Sequence, residues 1–262
     1  METNLNGIRM SYDDVGEGKA VLLLHAFPLR GAMWRPQVEA LRDRYRVIVP
    51  DLRGFGGTDA PPGPYSMDQQ ADDVAALLEY LGVERAALVG LSMGGYIGFA
   101  FWRRHRDKVA ALVLADTRAG ADSAEGKAGR ETNARLAEEQ GPAAIADKLI
   151  PGLVAPGTPQ SVRDELRSYI VANSHEGIAG APRGMAARPD STPDLASISV
   201  PTMVIVGAED GLTPPAEADA IHAGVPGSYV ALIPEAGHLS SVEQPTVFNT
   251  TLRTFLDRAL AV

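Results

Sequence analysis

The stretch Gly90-Leu91-Ser92-Met93-Gly94-Gly95 sets a serine between two glycines in the spacing G-x-S-x-G. An apolar run, Ala86–Leu91, precedes it, and a helix-compatible run, Tyr96–Arg104, follows. A sharp strand-to-helix turn here lifts the Ser92 hydroxyl to the end of a sheet, with Gly90 and Gly94 leaving space that a Cβ would fill. The same turn leaves the Met93 N–H unpaired at a helix start, where the dipole favours an anion. One turn can therefore supply a nucleophile and half of an oxyanion hole. A plain glycine-rich turn with a solvated serine would not account for both flanks.

A serine hydroxyl is a poor nucleophile until a base within hydrogen-bond reach takes its proton. Of the five histidines, His105 sits at a helix end in Trp102-Arg103-Arg104-His105-Arg106, His175 falls in a polar helical region and His222 falls in a helix. His25 ends an apolar strand. His238 lies in a short glycine-bearing loop, Pro234-Glu235-Ala236-Gly237-His238, after the last strand, and is the expected base. His25 is its competitor and is expected to hold the loop that follows it. The acid that orients the imidazole is expected to be Asp210, in a turn framed by Gly207, Gly211 and Pro214. Asp116, at the end of the neighbouring strand, is the rival. The order Ser92, Asp210, His238 is that of a hydrolase triad on an α/β sheet. The loop His25-Ala26-Phe27-Pro28-Leu29 is where a second oxyanion donor is needed, and the Phe27 N–H is assigned to it.

These groups need strand ends to hold them. Ala20–His25, Tyr45–Pro50, Ala86–Leu91, Val109–Ala115, Pro201–Gly207 and Ser228–Ile233 are runs of strand length, and the continuous apolar ones, Ala20–His25 and Val109–Ala115, read as buried strands. Asn6-Gly7 suits a type I′ hairpin between Glu2–Leu5 and Ile8–Tyr12, and Asp13–Lys19 reads as a polar turn. Helices are expected over Met33–Arg42, Met67–Leu81 with Ser66 as cap, Ala216–Ala223 and Glu243–Leu260, the last burying a stripe from Val247 to Ala259. Strands alternating with helices imply α/β architecture: a mostly parallel sheet with helices on both faces. From Thr117 to about Ser199 the strand runs stop. Charged helical segments replace them over Glu125–Glu139, Pro142–Ile150 and Pro159–His175. The expected organisation is a core of 1–116 and 200–262 with a helical lid, 117–199, inserted after the sixth strand. The loop Asp51–Asp59 reads as structural, folded around Arg53 by its neighbouring acids. The pairs Asp72-Asp73 and Glu138-Glu139 read as solvated helix faces.

At 262 residues the chain is long enough for a large single core. A net charge of −9 argues against nucleic acid or an anionic membrane as partner. The absence of cysteine excludes disulfides, thiolate catalysis and zinc–thiolate sites. No signal-peptide pattern and no apolar run of membrane-spanning length is seen, so a cytoplasmic location is expected. No metal and no organic cofactor is indicated, and a homo-oligomer is left open.

Five stretches together resemble the α/β-hydrolase superfamily: His25-Ala26-Phe27-Pro28, Asp51-Leu52-Arg53-Gly54-Phe55-Gly56, Gly90–Gly95, Gly207-Ala208-Glu209-Asp210 and Gly237-His238. The resemblance covers essentially the whole chain. It is nearest to the small serine-nucleophile members: carboxylesterases, 3-oxoadipate enol-lactonases and cofactor-free haloperoxidase-type esterases. It implies the triad Ser92, Asp210, His238 and the Phe27 and Met93 donors. Ala26 departs from the glycine most common after the histidine in this family. Serine at 92, where haloalkane dehalogenases and epoxide hydrolases carry aspartate, argues against their chemistry. The expected activity is ester hydrolysis on a small-molecule ester. An enol-lactonase or other lactonase is the alternative, and carbon–carbon hydrolysis, perhydrolysis, acyl transfer and ligand reception rank lower. Phe27, Leu29, Met33, Trp34, Met93 and Leu212 flank the expected site. Leu29, Met33, Trp34 and Leu212 are the candidate substrate contacts. The cations of the lid region (Arg118, Arg130, Arg135, Lys148, Arg167, Arg183, Arg188) are what a carboxylate-bearing lactone would need, though most read as solvated.

Overall fold

Apolar runs too short for helices become the strands of one sheet. The computed structural model describes residues 1–261. The strands are β1 (Glu2–Leu5), β2 (Ile8–Val15), β3 (Lys19–Leu24), β4 (Tyr45–Pro50), β5 (Ala86–Leu91), β6 (Val109–Ala115), β7 (Thr202–Gly207) and β8 (Tyr229–Ile233). Their order across the sheet is β1-β2-β4-β3-β5-β6-β7-β8. Only β1 and β2 run antiparallel to their neighbours; β4 through β8 and β3 form one parallel set. The central strands β3, β5 and β6 are buried on both faces, as their unbroken apolar sequences require. Asn6 and Gly7 both take positive φ in the hairpin between β1 and β2.

Helices α1 (Arg35–Leu41), α2 (Met67–Tyr80) and α3 (Met93–His105) return the chain between strands. Ser66 caps α2 by accepting from the Gln69 N–H at 3.1 Å. After β6 the chain leaves the sheet for α4 (Ala124–Leu153), α5 (Gln160–Val171) and α6 (His175–Ala186), and α4 packs on both of the others. The long α4 bends at Gly141, whose φ of 79° no helix accepts, with Pro142 restarting the next segment. Helices α7 (Pro215–Gly224), α8 (Ser240–Glu243) and α9 (Pro245–Ala259) complete the fold, and α9 lies on α1. Among the described residues no helix is long and apolar enough to cross a membrane.

Several expected elements differ. The strand ending at Tyr12 continues to Val15, because Tyr12–Val15 pair with Val47–Pro50. The closing helix, α9, begins at Pro245, and a separate short helix, α8, ends just before it at Glu243. The α9 residue Val247 is 39% exposed and not part of the buried stripe, which begins at its neighbour Phe248. The third helical segment of the insertion ends at Val171, and α6 was not foreseen. Its sequence is rich in glycine and carries Pro182, so local propensity is poor. It forms because Gly177 and Gly184 allow backbone contact: a Cβ at either would stand 1.6 Å from a carbonyl oxygen, of Gly54 and Tyr65 respectively.

The loop after β4 is structural, but its partner is not local. Arg53 makes a two-pronged pair with Asp73 of α2 (Nε–Oδ2 2.7 Å, Nη2–Oδ1 2.8 Å), and both are buried. Asp73 is therefore not on a solvated face. Gln70, Asp73 and Leu77 form a second buried row beside the apolar stripe of α2. Asp51 closes the same loop by accepting from the Gly31 and Gly57 N–H groups, each at 2.8 Å.

Candidate active site

Every residue of the site stands just past the carboxyl end of a parallel strand, where open α/β sheets bind ligands. Ser92 follows β5 with φ 55° and ψ −108°, a conformation that L-residues rarely adopt. The surroundings enforce it. A Cβ on Gly90 would lie 2.2 Å from the Gly94 carbonyl oxygen, and one on Gly94 would lie 2.1 Å from that of Leu24. The Ser92 N–H donates to Ala115 at 2.9 Å, and the Thr117 hydroxyl donates to the Ser92 carbonyl at 2.9 Å, so the end of β6 braces the turn.

The structure brings three of the expected residues together. Ser92 Oγ lies 2.8 Å from His238 Nε2, and His238 Nδ1 lies 2.8 Å from Asp210 Oδ2. Asp210 Oδ1 accepts from the N–H groups of Leu212 (2.8 Å) and Thr213 (2.9 Å), and Oδ2 accepts from the Thr213 hydroxyl at 2.7 Å. Burial pulls the Asp210 carboxyl up, but the hydrogen bond and charge of His238 and the Thr213 donors outweigh it. The net effect holds it below its ordinary value. Thr213 was not singled out from the sequence, although its place three residues after an acid in a Gly/Pro turn fits an Asx-type side-chain acceptor.

Asp116 occupies a different role. Its Oδ1 accepts from the Gly207 N–H at 2.8 Å, and its Oδ2 accepts from the Ser240 hydroxyl at 2.5 Å. Full burial, and then the charge of Asp210, push its carboxyl well above the usual range. His25 is also fully buried. Its Nε2 accepts from the Leu52 N–H at 3.0 Å and its Nδ1 donates to the Ala26 carbonyl at 3.0 Å, which fixes one neutral tautomer. Burial lowers it to about 4. His25 thus ties the loop after β3 to the loop after β4. Ala26, buried completely, is accommodated with its N–H directed at Met33 Sδ, 3.4 Å away.

Ser92 and His238 open into a cavity of about 580 Å³, whose wall includes Phe27, Tyr96, Leu149, Leu153 and Thr213. Among the described residues the Phe27 and Met93 N–H groups donate to no backbone carbonyl. Leu212 is at the cavity mouth and 45% exposed. Leu29, Met33 and Trp34 are not in the cavity wall. They are buried in the core, Trp34 against Phe248 of α9 with ring centroids 6.2 Å apart. The first turn after the His25 loop folds inward, so chain proximity to the site does not become contact with it. Arg118, Arg130 and Lys148 do line the cavity. Arg188 is buried, not solvated: it pairs with Asp122 at 2.9 Å and stacks over Tyr96 at 3.9 Å. A second cavity of about 580 Å³ at the amino ends of the strands is lined by residues that include Lys19, Arg46 and Arg85, and its lining has no serine, threonine or histidine. Among the described residues no cluster of His, Asp and Glu fit to hold a metal is found.

An eight-stranded sheet in this order, with a serine turn after β5, defines the α/β-hydrolase class, and the chain belongs to that family. The family model of the alpha/beta hydrolase fold matches residues 19–149. Among individual proteins, the chain is 31% identical over 257 residues to 3-oxoadipate enol-lactonase 2 of Acinetobacter baylyi, covering 96% of this chain and 94% of that protein. It superposes on a thermophilic esterase from Thermogutta terrifontis with a TM-score of 0.94 at 44% identity, over 98% of this chain and 97% of that one. It superposes on the enol-lactonase from Burkholderia xenovorans LB400 with a TM-score of 0.92 at 31% identity, over 98% and 99% of the two chains.

Proposed function

We propose that the chain is a serine hydrolase of carboxylic esters. The observation that carries this reading is the unbroken relay from Ser92 Oγ through His238 to Asp210, each link 2.8 Å, at the floor of a cavity. In this reading His238 Nε2 takes the Ser92 proton as Oγ attacks the ester carbonyl. The carbonyl oxygen gains the negative charge and is held by the Phe27 and Met93 N–H groups, each worth about 3 kcal/mol of barrier. Collapse of the tetrahedral adduct breaks the C–O bond, and His238 returns the proton to the leaving alcohol. Water, deprotonated by His238, then attacks the acyl-enzyme, releasing the acid and restoring Ser92. Asp210 holds the imidazole tautomer and its transient charge. The helical insertion, 117–199, serves in this reading as the lid that shapes the acyl pocket.

Lactone hydrolysis is the second reading. The cations Arg118, Arg130 and Lys148 in the cavity wall favour it, as does the likeness to two enol-lactonases. The test is a paired assay of p-nitrophenyl esters of graded acyl length beside 3-oxoadipate enol-lactone, on wild type and Ser92→Ala. The expected outcome is ester turnover that Ser92→Ala abolishes while the far-UV spectrum is unchanged. Lactone turnover far exceeding ester turnover moves the assignment to a lactonase. Wild-type rates in Ser92→Ala overturn both readings.

A further inference from the structure

The carboxylate of Glu243, at the end of α8, accepts four hydrogen bonds. Oε1 accepts from the N–H of Gly237 at 3.0 Å and of Leu239 at 3.2 Å, the two residues that flank His238. Oε2 accepts from the Ala155 N–H and the Thr158 hydroxyl, both at 2.7 Å, in the segment between α4 and α5. The same two segments touch directly elsewhere, since a Cβ on Gly237 would stand 2.5 Å from the Ala155 nitrogen. Glu243 is not in the cavity wall, so its effect on chemistry must run through what it holds.

The imidazole of His238 has to meet Ser92 on one side and Asp210 on the other, and a displacement of a fraction of an ångström lengthens one link or the other. Asp116 fixes one flank of the loop through Ser240. Glu243 fixes the N–H groups of the residues on both sides of His238. We propose that Glu243 is a positioning residue for His238 and that it couples the base to the Val154–Thr158 segment of the helical insertion. The proposal rests on the reading of His238 as the base. All four contacts require an acceptor. A glutamine at 243 can satisfy only one side, because its NH₂ then faces two donors on the other.

The experiment compares wild type, Glu243→Gln and Thr158→Val on p-nitrophenyl butyrate, with active sites counted by stoichiometric labelling with a fluorophosphonate. Thr158→Val keeps the side-chain shape and removes one donor to Oε2. The expected result for Glu243→Gln is a fall in kcat per labelled site of about 10- to 100-fold, with KM within about threefold of wild type. Thr158→Val falls in the same direction by a smaller factor. A purely structural role would reduce the number of labelled sites and leave kcat per site at the wild-type value, and that result overturns the proposal. Should Glu243→Gln fail to fold, Thr158→Val decides: unchanged kcat per site overturns the coupling to the insertion. A wild type inert on the ester, or an active Ser92→Ala, instead removes the reading of the site, and neither outcome needs the two variants.

Discussion

The strand ends and the helical insertion hold their titratable groups in opposite ways. At the strand ends, Asp116, Asp210, His25 and His238 are all nearly or fully buried, and each is tied to backbone amides or to one fixed partner. In the insertion, charge sits on helix surfaces. Arg183 bridges Glu131 and Glu138, Arg135 meets Glu131 and Arg167 meets Asp147, all partly or largely exposed. The exception, Asp122 gripped by Arg130 and Arg188, lies where the insertion meets Tyr96 of α3. A buried ion without its partner is costly, so it exists only where a rigid frame fixes that partner. A surface pair tolerates motion because water replaces either member. Precise geometry is therefore concentrated at the strand ends and the contacts made to them, while the surface pairs of the insertion tolerate motion.

The largest test of that division sets one buried carboxylate against another. Asp210→Asn turns a hydrogen-bond acceptor toward His238 into an ambiguous amide that favours the wrong imidazole tautomer. The expected loss in kcat is on the order of 10³- to 10⁴-fold on p-nitrophenyl butyrate. Asp116→Asn, which does not touch His238, should cost less than about tenfold, on the same argument that it acts only through loop position. Equal losses in the two variants would mean that the acid function is shared between the strand ends of β6 and β7.

Much of this frame was legible in the residues. Apolar runs of strand length marked six of the strands to within a few residues, most sharply β3, β5 and β6, which are buried on both faces, and the Asn6-Gly7 turn marked β1 and β2. Ser92, Asp210 and His238 were identifiable because their loops are short and glycine-bearing, so side chains there have few places to point. Leu29, Met33 and Trp34 were misplaced because distance along the chain does not say which way a turn folds, and this one folds toward α9. Asp73 was read as solvated because an apolar stripe shows where a helix must be covered, not how wide the cover is. Its partner Arg53 is 20 residues upstream, and no spacing rule links the two. Helix α6 was invisible because its stability comes from glycine-mediated backbone contact across the fold, not from its own propensity.

A second contrast concerns stability. Arg53→Ala leaves Asp73 buried with only the Asn6 amide at 3.0 Å as side-chain partner. The expected destabilisation is about 3–5 kcal/mol, read as a drop in the urea midpoint without a change in slope. Arg183→Ala, which removes two surface pairs at once, should leave the midpoint close to wild type at moderate salt. A large shift for Arg183→Ala would show that the insertion is held as rigidly as the sheet.

The last of these effects comes from His25, and its sign follows from linkage. Burial lowers its folded-state pKa to about 4 from an ordinary value of 6.5. The unfolded chain therefore binds a proton that the folded chain refuses between those two values. In that window stability rises with pH. The contribution is complete above about pH 6.5 and is progressively lost as pH falls toward 4, reaching roughly 3 kcal/mol for a shift of this size. His25→Gln keeps one donor and one acceptor but does not titrate. Its urea midpoint, whatever its value at pH 7, should fall less between pH 7 and pH 4.5 than that of wild type. An identical fall in both proteins would mean that the loops after β3 and β4 open enough for His25 to take its proton from water, and the strand ends would then not be the rigid frame that these buried groups require.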